Sequence, residues 1–256
     1  MGISFKINKI WLSLAVALLL MQACSVTGNA EETGTRMVEL CNDFNRLNSA
    51  IRDNRINRSR AKAEFRSLID QIGKEYYATG RREYLSEEWV FPLQGYGYKA
   101  IGGINGNGYQ KGGYDYFDGN RHSGHPSLDI FIHDKNHLSI DDVTAKPVSV
   151  LSVTGGVVVA LEKEWNKSSP LRGGKYIWIY DPISNALLYY AHNSTVLVGL
   201  GDLVKPGDVI SYVGRTGLNA FKRRSPTHLH LTFLPISCGL PVPRNIYKEL
   251  LRSKQM

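Results

Sequence analysis

The sequence predicts a mainly β protein, an antiparallel two-sheet sandwich or partly closed barrel, preceded by a helical segment. Three observations carry this. From Trp89 onward, short runs rich in Val, Ile, Leu and Tyr are separated by Gly, Pro, Asp and Asn, the pattern of antiparallel strands joined by turns at short intervals. Between residues 36 and 77 the apolar residues instead recur at spacings of three and four, which is a helical period. The chain of 256 residues is also long enough to bury a substantial core.

The first residues read as an export signal. Lys6 and Lys9 form a short basic start and Ile10 to Met21 an apolar run, shorter than the roughly 20 apolar residues a spanning helix needs. It ends in Met21-Gln22-Ala23-Cys24-Ser25. A small residue followed by cysteine at this place resembles a bacterial lipoprotein cleavage box, although Met21 and Gln22 depart from its usual residues. The expectation is a lipoprotein-type signal over residues 1–23, lipidation of Cys24 and a polar tether over 24–35. Acyl chains would then anchor the protein to the membrane without spanning it. The plainer alternative is an ordinary signal peptide whose cysteine is incidental.

Residues 36–85 form the helical segment. Met37, Leu40, Cys41, Phe44, Leu47 and Ile51 lie on one stripe, and Phe65, Leu68, Ile69 and Ile72 continue it after a basic stretch from Arg52 to Arg60 that reads as a turn. This predicts a helical hairpin or one interrupted helix, packed on or preceding the β domain. Its plain role is a spacer from the membrane; its sharper one is a flap over an active site.

Residues 86–256 form the β domain. Strands are expected at Ser149 to Val153, Gly156 to Leu161, Lys175 to Tyr180, Ala186 to Ala191, Val196 to Val198 and Val209 to Val213, with a short helix within Asn245 to Arg252. Gly95 to Gly124 is a Gly/Tyr-rich loop with Tyr96, Tyr98, Tyr109, Tyr114, Tyr116 and Phe117. Loops of this kind carry ligand contacts more often than strands do; the alternative is a mobile surface loop whose tyrosines pack locally.

Two histidine motifs carry the chemistry. In His125-Pro126-Ser127-Leu128-Asp129 a helical spacing is interrupted by Pro126, and Leu128, Ile130 and Ile132 alternate with Asp129, Phe131 and His133. That period of two places a strand from near Asp129, with His125 on the loop entering it. In Thr227-His228-Leu229-His230-Leu231-Thr232-Phe233 both histidines share one strand face and the apolar residues the other. His192 lies between the motifs. Two imidazoles and a carboxylate are enough to hold one metal ion with a position left open, and spacing alone leaves open whether His228 or His230 is the ligand.

The order His-x-x-x-Asp, Tyr190-Ala191-His192 and His228-Leu229-His230 resembles the lysostaphin-like zinc endopeptidases, the LytM-type peptidase family. Phe91 to Gly95 resembles that family's domain opening, Gly201 to Ile210 its Gly-Asp-x-Val turn, and Val213-Gly214-Arg215-Thr216-Gly217 its Gly-x-Thr-Gly hairpin. The resemblance runs from Trp89 to Pro243. It implies one zinc ion held by His125, Asp129 and His230, with His192 and His228 as catalytic acid–base groups beside the open position. It also implies the peptide part of peptidoglycan as substrate and the Gly95–Gly124 loop as one wall of the groove. Three features depart from the family: Ser127 stands where glycine is usual, and the Leu218–Pro226 stretch and the Gly/Tyr loop are long. His122, His133 and His137 are expected in surface or supporting roles, with His122 near enough to His125 in sequence to visit the metal.

Within that resemblance the expected function is hydrolysis of peptidoglycan peptide cross-links. The alternatives are a non-catalytic LytM-like activator of cell-wall amidases and a peptidoglycan-binding module. The formal charge is +8, and about +6 remains without Lys6 and Lys9. A basic surface suits an anionic partner such as cell-wall polymer or headgroups; nucleic acid is excluded by export and by the lack of any nucleic-acid motif. The expected location is the periplasmic face of the envelope. Ser25 after Cys24 fits the outer membrane under one common sorting rule. Cys41 and Cys238 remain, and an exported protein can join them, though sequence does not establish their approach.

Overall fold

The structure, a computed structural model, describes residues 34–256; the signal segment, Cys24 and the tether as far as residue 33 lie outside the described residues. Helix α1 occupies residues 34–52 and α2 Arg58–Ala78. The basic stretch between them turns the chain: Asn54 takes a left-handed conformation and the Asn57 side chain accepts the Ser59 amide at 2.9 Å, capping α2.

Ten strands follow. They are β1 Ser127–Phe131, β2 Ser149–Leu151, β3 Gly156–Glu162, β4 Lys175–Asp181, β5 Ala186–Asn193, β6 Thr195–Val196, β7 Leu203–Val204, β8 Val209–Tyr212, β9 His228–Ser237 and β10 Leu240–Pro241, with a short helix α3 at Tyr247–Leu250. All strand pairs are antiparallel. The large sheet has the order β1-β9-β5-β4-β3-β7 with β10 on β9, and the small sheet the order β2-β8-β6. Two open sheets, not a closed barrel, are therefore the outcome.

Each face of the large sheet buries a core. On one face Ile177, Ile179, Leu188, Tyr190, Leu229, Leu231 and Phe233 pack towards Val150, Ile210 and Val213 of the small-sheet side. On the other, Val157, Val159, Trp178, Tyr180, Leu187 and Leu234 pack against Phe44, Leu47, Phe65 and Ile72 of the helices. Burial on both faces explains the unbroken apolar run Val157-Val158-Val159, and the far end of β9 pairs with β10. The helical hairpin is thus a third layer, packed on the β domain with its stripe buried against the sheet. Cys41 is buried and Cys238 exposed, both as free thiols, so the disulfide left open by the sequence is not formed. Among the described residues, no helix is long and apolar enough to cross a membrane.

Phe65 ties the helices to the loop that follows them in the chain. Its ring centroid lies 5.7 Å from Phe44, 5.5 Å from Tyr116 and 5.7 Å from Phe117, and Arg58 bridges Asp115 and Asp118. Replacing Phe65 with Ala removes a fully buried ring and is expected to cost about 3–5 kcal/mol. Denaturant unfolding followed by circular dichroism would read this as a lowered midpoint.

Candidate metal centre and active site

β1 and β9 pair with Asp129 opposite His230, Ser127 opposite Thr232 and Phe131 opposite His228. The period of two sends Leu229, Leu231 and Phe233 into the inter-sheet core and brings His228, His230 and Asp129 to the helix side of the sheet. His125 precedes β1, held by paired backbone bonds with Gln110. All five predicted site residues (His125, Asp129, His192, His228 and His230) line one cavity of about 330 Å³.

His192 reaches that cavity through a local irregularity. In β5 the alternation places Leu188 and Tyr190 in the inter-sheet core and Leu187, Tyr189 and Ala191 on the helix side, so a regular strand would turn His192 away from the site. The register with β4 shifts between Lys175 and Ile177, and His192 takes φ 69°. This bulge re-aims the side chain. A left-handed histidine costs roughly 1–3 kcal/mol and persists only where its surroundings hold it. Here the His192 amide donates to Gly173 O at 2.9 Å, and its ring Nδ1 lies 2.8 Å from Thr216 O. Gly217 lets the neighbouring chain pass: a Cβ there would lie 2.9 Å from His192 Nδ1 and would collide with Arg172 O.

Every imidazole in the centre has one nitrogen engaged on the outer side. His125 Nδ1 lies 3.2 Å from Gly108 O, His228 Nδ1 2.7 Å from Pro226 O and His192 Nδ1 2.8 Å from Thr216 O. A carbonyl only accepts, so each Nδ1 carries a proton, which leaves Nε2 of His192 and His228 as an inward lone pair, while His125 Nε2 faces the Asp129 carboxylate. His230 is reversed: its Nε2 lies 2.6 Å from Ser127 Oγ, which lies 2.5 Å from Thr232 Oγ1, and its Nδ1 lies 3.0 Å from Asp129 Oδ1. His125 Nε2 and His228 Nε2 lie 3.4 Å and 3.8 Å from Asp129.

The charges are set for a cation. Burial alone would raise the Asp129 pKa, but the hydrogen bonds from His125 and His230, with the nearby imidazoles, hold it far below the usual carboxylate range. Burial, then the neighbouring His228 and His230, pushes His192 well below an ordinary imidazole; burial also lowers His230. The hydrogen bond to Asp129 raises His125. Two overlapping trios place one donor atom each within 4.8 Å of one another: His125, Asp129 and His230, and His192, His228 and His230. Imidazole nitrogens with an ionised carboxylate are ligands suited to a divalent ion such as zinc, and the lowered Asp129, His192 and His230 are in the deprotonated state that binding requires. The residues fit the metal the sequence pointed to.

The other histidines divide. His122 lines the cavity but belongs to neither trio; its Nδ1 lies 3.2 Å from Gly124 O, and burial, then Arg172, lowers it to about 4. His133 packs on Tyr96 at 5.4 Å, and neither it nor His137 lines the cavity. The Gly/Tyr loop does supply a wall: Tyr114, Tyr116, Asn120 and His122 face the cavity, whereas Tyr96 is spent on Asp141. Sequence reasoning missed the hydroxyl pair Ser127 and Thr232. The signal was present, since they lie two residues from Asp129 and His230 on the same strand faces. It also missed Arg172 and the residues Tyr176, Trp178 and Tyr189, which no spacing rule ties to the histidines.

The β-sheet floor thus bears a His/Asp cluster able to hold a metal ion, with two further imidazoles beside it. Residues 135–237 match the model of peptidase family M23. The match takes in His192, His228 and His230 and begins after Asp129. The chain is also similar to a protein assigned as a glycyl-glycine endopeptidase, LytM, from Ruminococcus gnavus, at 24% identity over 77% of this chain and 74% of that one, with a TM-score of 0.46. It is similar to a zinc-containing peptidase from Vibrio cholerae, at 22% identity over 66% of this chain and 41% of that one, with a TM-score of 0.38. Lysostaphin from Staphylococcus simulans matches at 21% identity over 66% and 51%, with a TM-score of 0.37. The chain thus spans about half or less of the length of the last two.

Because burial disfavours its cation, His192 in the metal-free protein should stay neutral through the range around pH 6.5 where a free imidazole titrates. Nitrogen-15 NMR across a pH series would check this, with an Nδ1-protonated tautomer expected throughout. An imidazole that protonates in that range would contradict it.

Proposed function

We propose that the protein is a zinc-dependent endopeptidase that hydrolyses peptide cross-links of peptidoglycan. The observation that carries this reading is the convergence of His125, Asp129, His192, His228 and His230 on one cavity of an M23 domain. His125, through Nε2, Asp129 and His230, through Nδ1, would hold the ion. When bound, zinc supplies Lewis-acid polarisation of a carbonyl and acidification of water. The trio containing the carboxylate is preferred because Asp129 also offsets the ion's charge.

The remaining work falls to the chain's own groups. His192 and His228 each keep Nδ1–H on a backbone carbonyl, so Nε2 of either is free to accept a proton from water. One of the two takes the proton from the attacking water, and the other serves the developing oxyanion or the leaving nitrogen. Stem-peptide cross-links between D-amino acids are the proposed bonds. That choice goes with the lipoprotein reading of residues 1–23, in which Cys24 is lipidated and the protein sits at the periplasmic face, on the outer membrane.

Zinc by elemental analysis should be about one per chain and lost in His125→Ala and Asp129→Ala. Full retention in Asp129→Ala would sink the ligand assignment. His192→Ala should keep zinc while turnover falls about 10²–10⁴-fold. Purified sacculi digested with the wild type should lose cross-linked dimers and gain monomers, with no change for His230→Ala. No zinc and no product, with stimulation of an amidase, would instead establish the activator role. Ser127→Ala should weaken zinc about 10–100-fold, read by chelator competition, because His230 loses the partner that fixes its tautomer.

A further inference from the structure

The helical layer closes one end of the cavity. The metal centre lies on the helix side of the large sheet, and the same face continues through Tyr189, Trp178 and Tyr176 towards Tyr180, Val157 and Val159, which are buried under the helices. Where the helices meet the open strip, Asn48, Ile51 and Arg52 of α1 line the cavity, with Tyr116 and Gly119 of the turn Tyr116–Arg121. Helix and turn are locked together. Gly119 has φ 53°, and a Cβ there would strike the carbonyls of Ile51 and Arg52, while Arg58 ties α2 to Asp115 and Asp118. At about 330 Å³ the space is at the small end of ligand pockets, which run from about 300 to 1,000 Å³. It has room for a residue or two beside the metal centre.

The chamber is aromatic and basic. Trp178 and Tyr189 stack at 4.4 Å between centroids, with Tyr176 5.4 Å from Tyr189. Among the described lining residues Asp129 is the only carboxylate, and it is taken up by the histidines. The two lining cations differ. Arg52 is already neutralised by Asp53 and Glu162 and donates to Tyr176 Oη at 2.9 Å. Arg172 has no carboxylate within 4.0 Å among the described residues; its Nη1 donates to His122 O at 2.7 Å and Asn120 O at 3.4 Å, which fixes the guanidinium at the cavity wall beside Gly173. A positioned guanidinium without a counter-ion, at a closed end, is suited to a carboxylate.

We propose that this chamber takes a substrate residue bearing a free carboxylate, held by Arg172, so that the enzyme cleaves the bond to a residue at or near a C-terminal end. This rests on the peptidase reading. A terminal carboxylate belongs to the C-terminal, amine side of the scissile bond. On hydrolysis the water oxygen bonds to the carbonyl carbon, the C–N bond breaks and the nitrogen takes the proton, so the product leaving the chamber is an amino acid or short peptide that keeps its carboxylate.

The test uses the full mature chain with zinc and three N-acetylated D-alanyl-D-alanine substrates: free carboxylate, C-terminal amide, and a version extended by four residues. Amidation and extension should each lower kcat/KM about tenfold or more, through KM. Arg172→Gln should bring the free acid down to the amide's level with zinc content unchanged, and Arg172→Lys should restore part of the preference. Calorimetry on the metal-free protein should show D-alanine binding that D-alaninamide and Arg172→Gln lack. Equal turnover of all three peptides by the wild type overturns the carboxylate chamber and leaves the peptidase standing. No hydrolysis of these peptides or of sacculi by the zinc-loaded chain overturns both.

Discussion

The pairing of β1 with β9 is the constraint on which the site depends. It sets Asp129 opposite His230 and Ser127 opposite Thr232, so one register supplies two proposed ligands and the hydroxyl pair that orients one of them. A slip of one residue would send His228 and His230 into the inter-sheet core and bring Leu229, Leu231 and Phe233 out. Those apolar residues are buried between the sheets, so the hydrophobic effect that closes the sandwich also fixes the chemistry of its other face. The placement of these candidate ligands is a by-product of core packing.

The centre also depends on places where regular structure gives way. A regular β5 would bury His192 between the sheets; the bulge against β4 and the left-handed backbone at His192 bring it back. The cost is offset by the Gly173 and Thr216 carbonyls and by the absence of a Cβ at Gly217. Carbonyls from four loop positions hold outer nitrogens, counting the one on His122, so the imidazoles are oriented before any ion arrives.

The third layer changes what the sheet face can accept. A two-sheet domain alone would leave the aromatic strip from Tyr189 to Tyr176 open beside the metal centre. Here α1, α2 and the turn Tyr116–Arg121 cover its far end and leave Arg172 as the unpaired cation of a short chamber. In the proposed reading the helices act on substrate choice by position, without supplying a group to the chemistry.

Much of the fold and site was legible in the sequence because periodicity is a local property. The alternation around Asp129 and His230 gave their strands and faces, and the three-and-four spacing from Met37 to Ile72 gave the helices. The two-residue strands at Leu203–Val204 and Leu240–Pro241 were too short to show a period. Whether the helices pack on the β domain or only precede it was left open, since an apolar stripe says that a face is buried and not by what; the tertiary structure decided that they cover the sheet. The re-aiming of His192 was likewise hidden, because a bulge arises from pairing with β4. The sequence by itself supplied the candidate donors, imidazoles and a carboxylate in two spaced motifs, as ligand chemistry resides in residue type, while spacing left open whether His228 or His230 serves. Only the tertiary structure decided which nitrogen of each histidine faces inward, and that one end of the cavity is closed, because both depend on contacts between residues far apart in the chain.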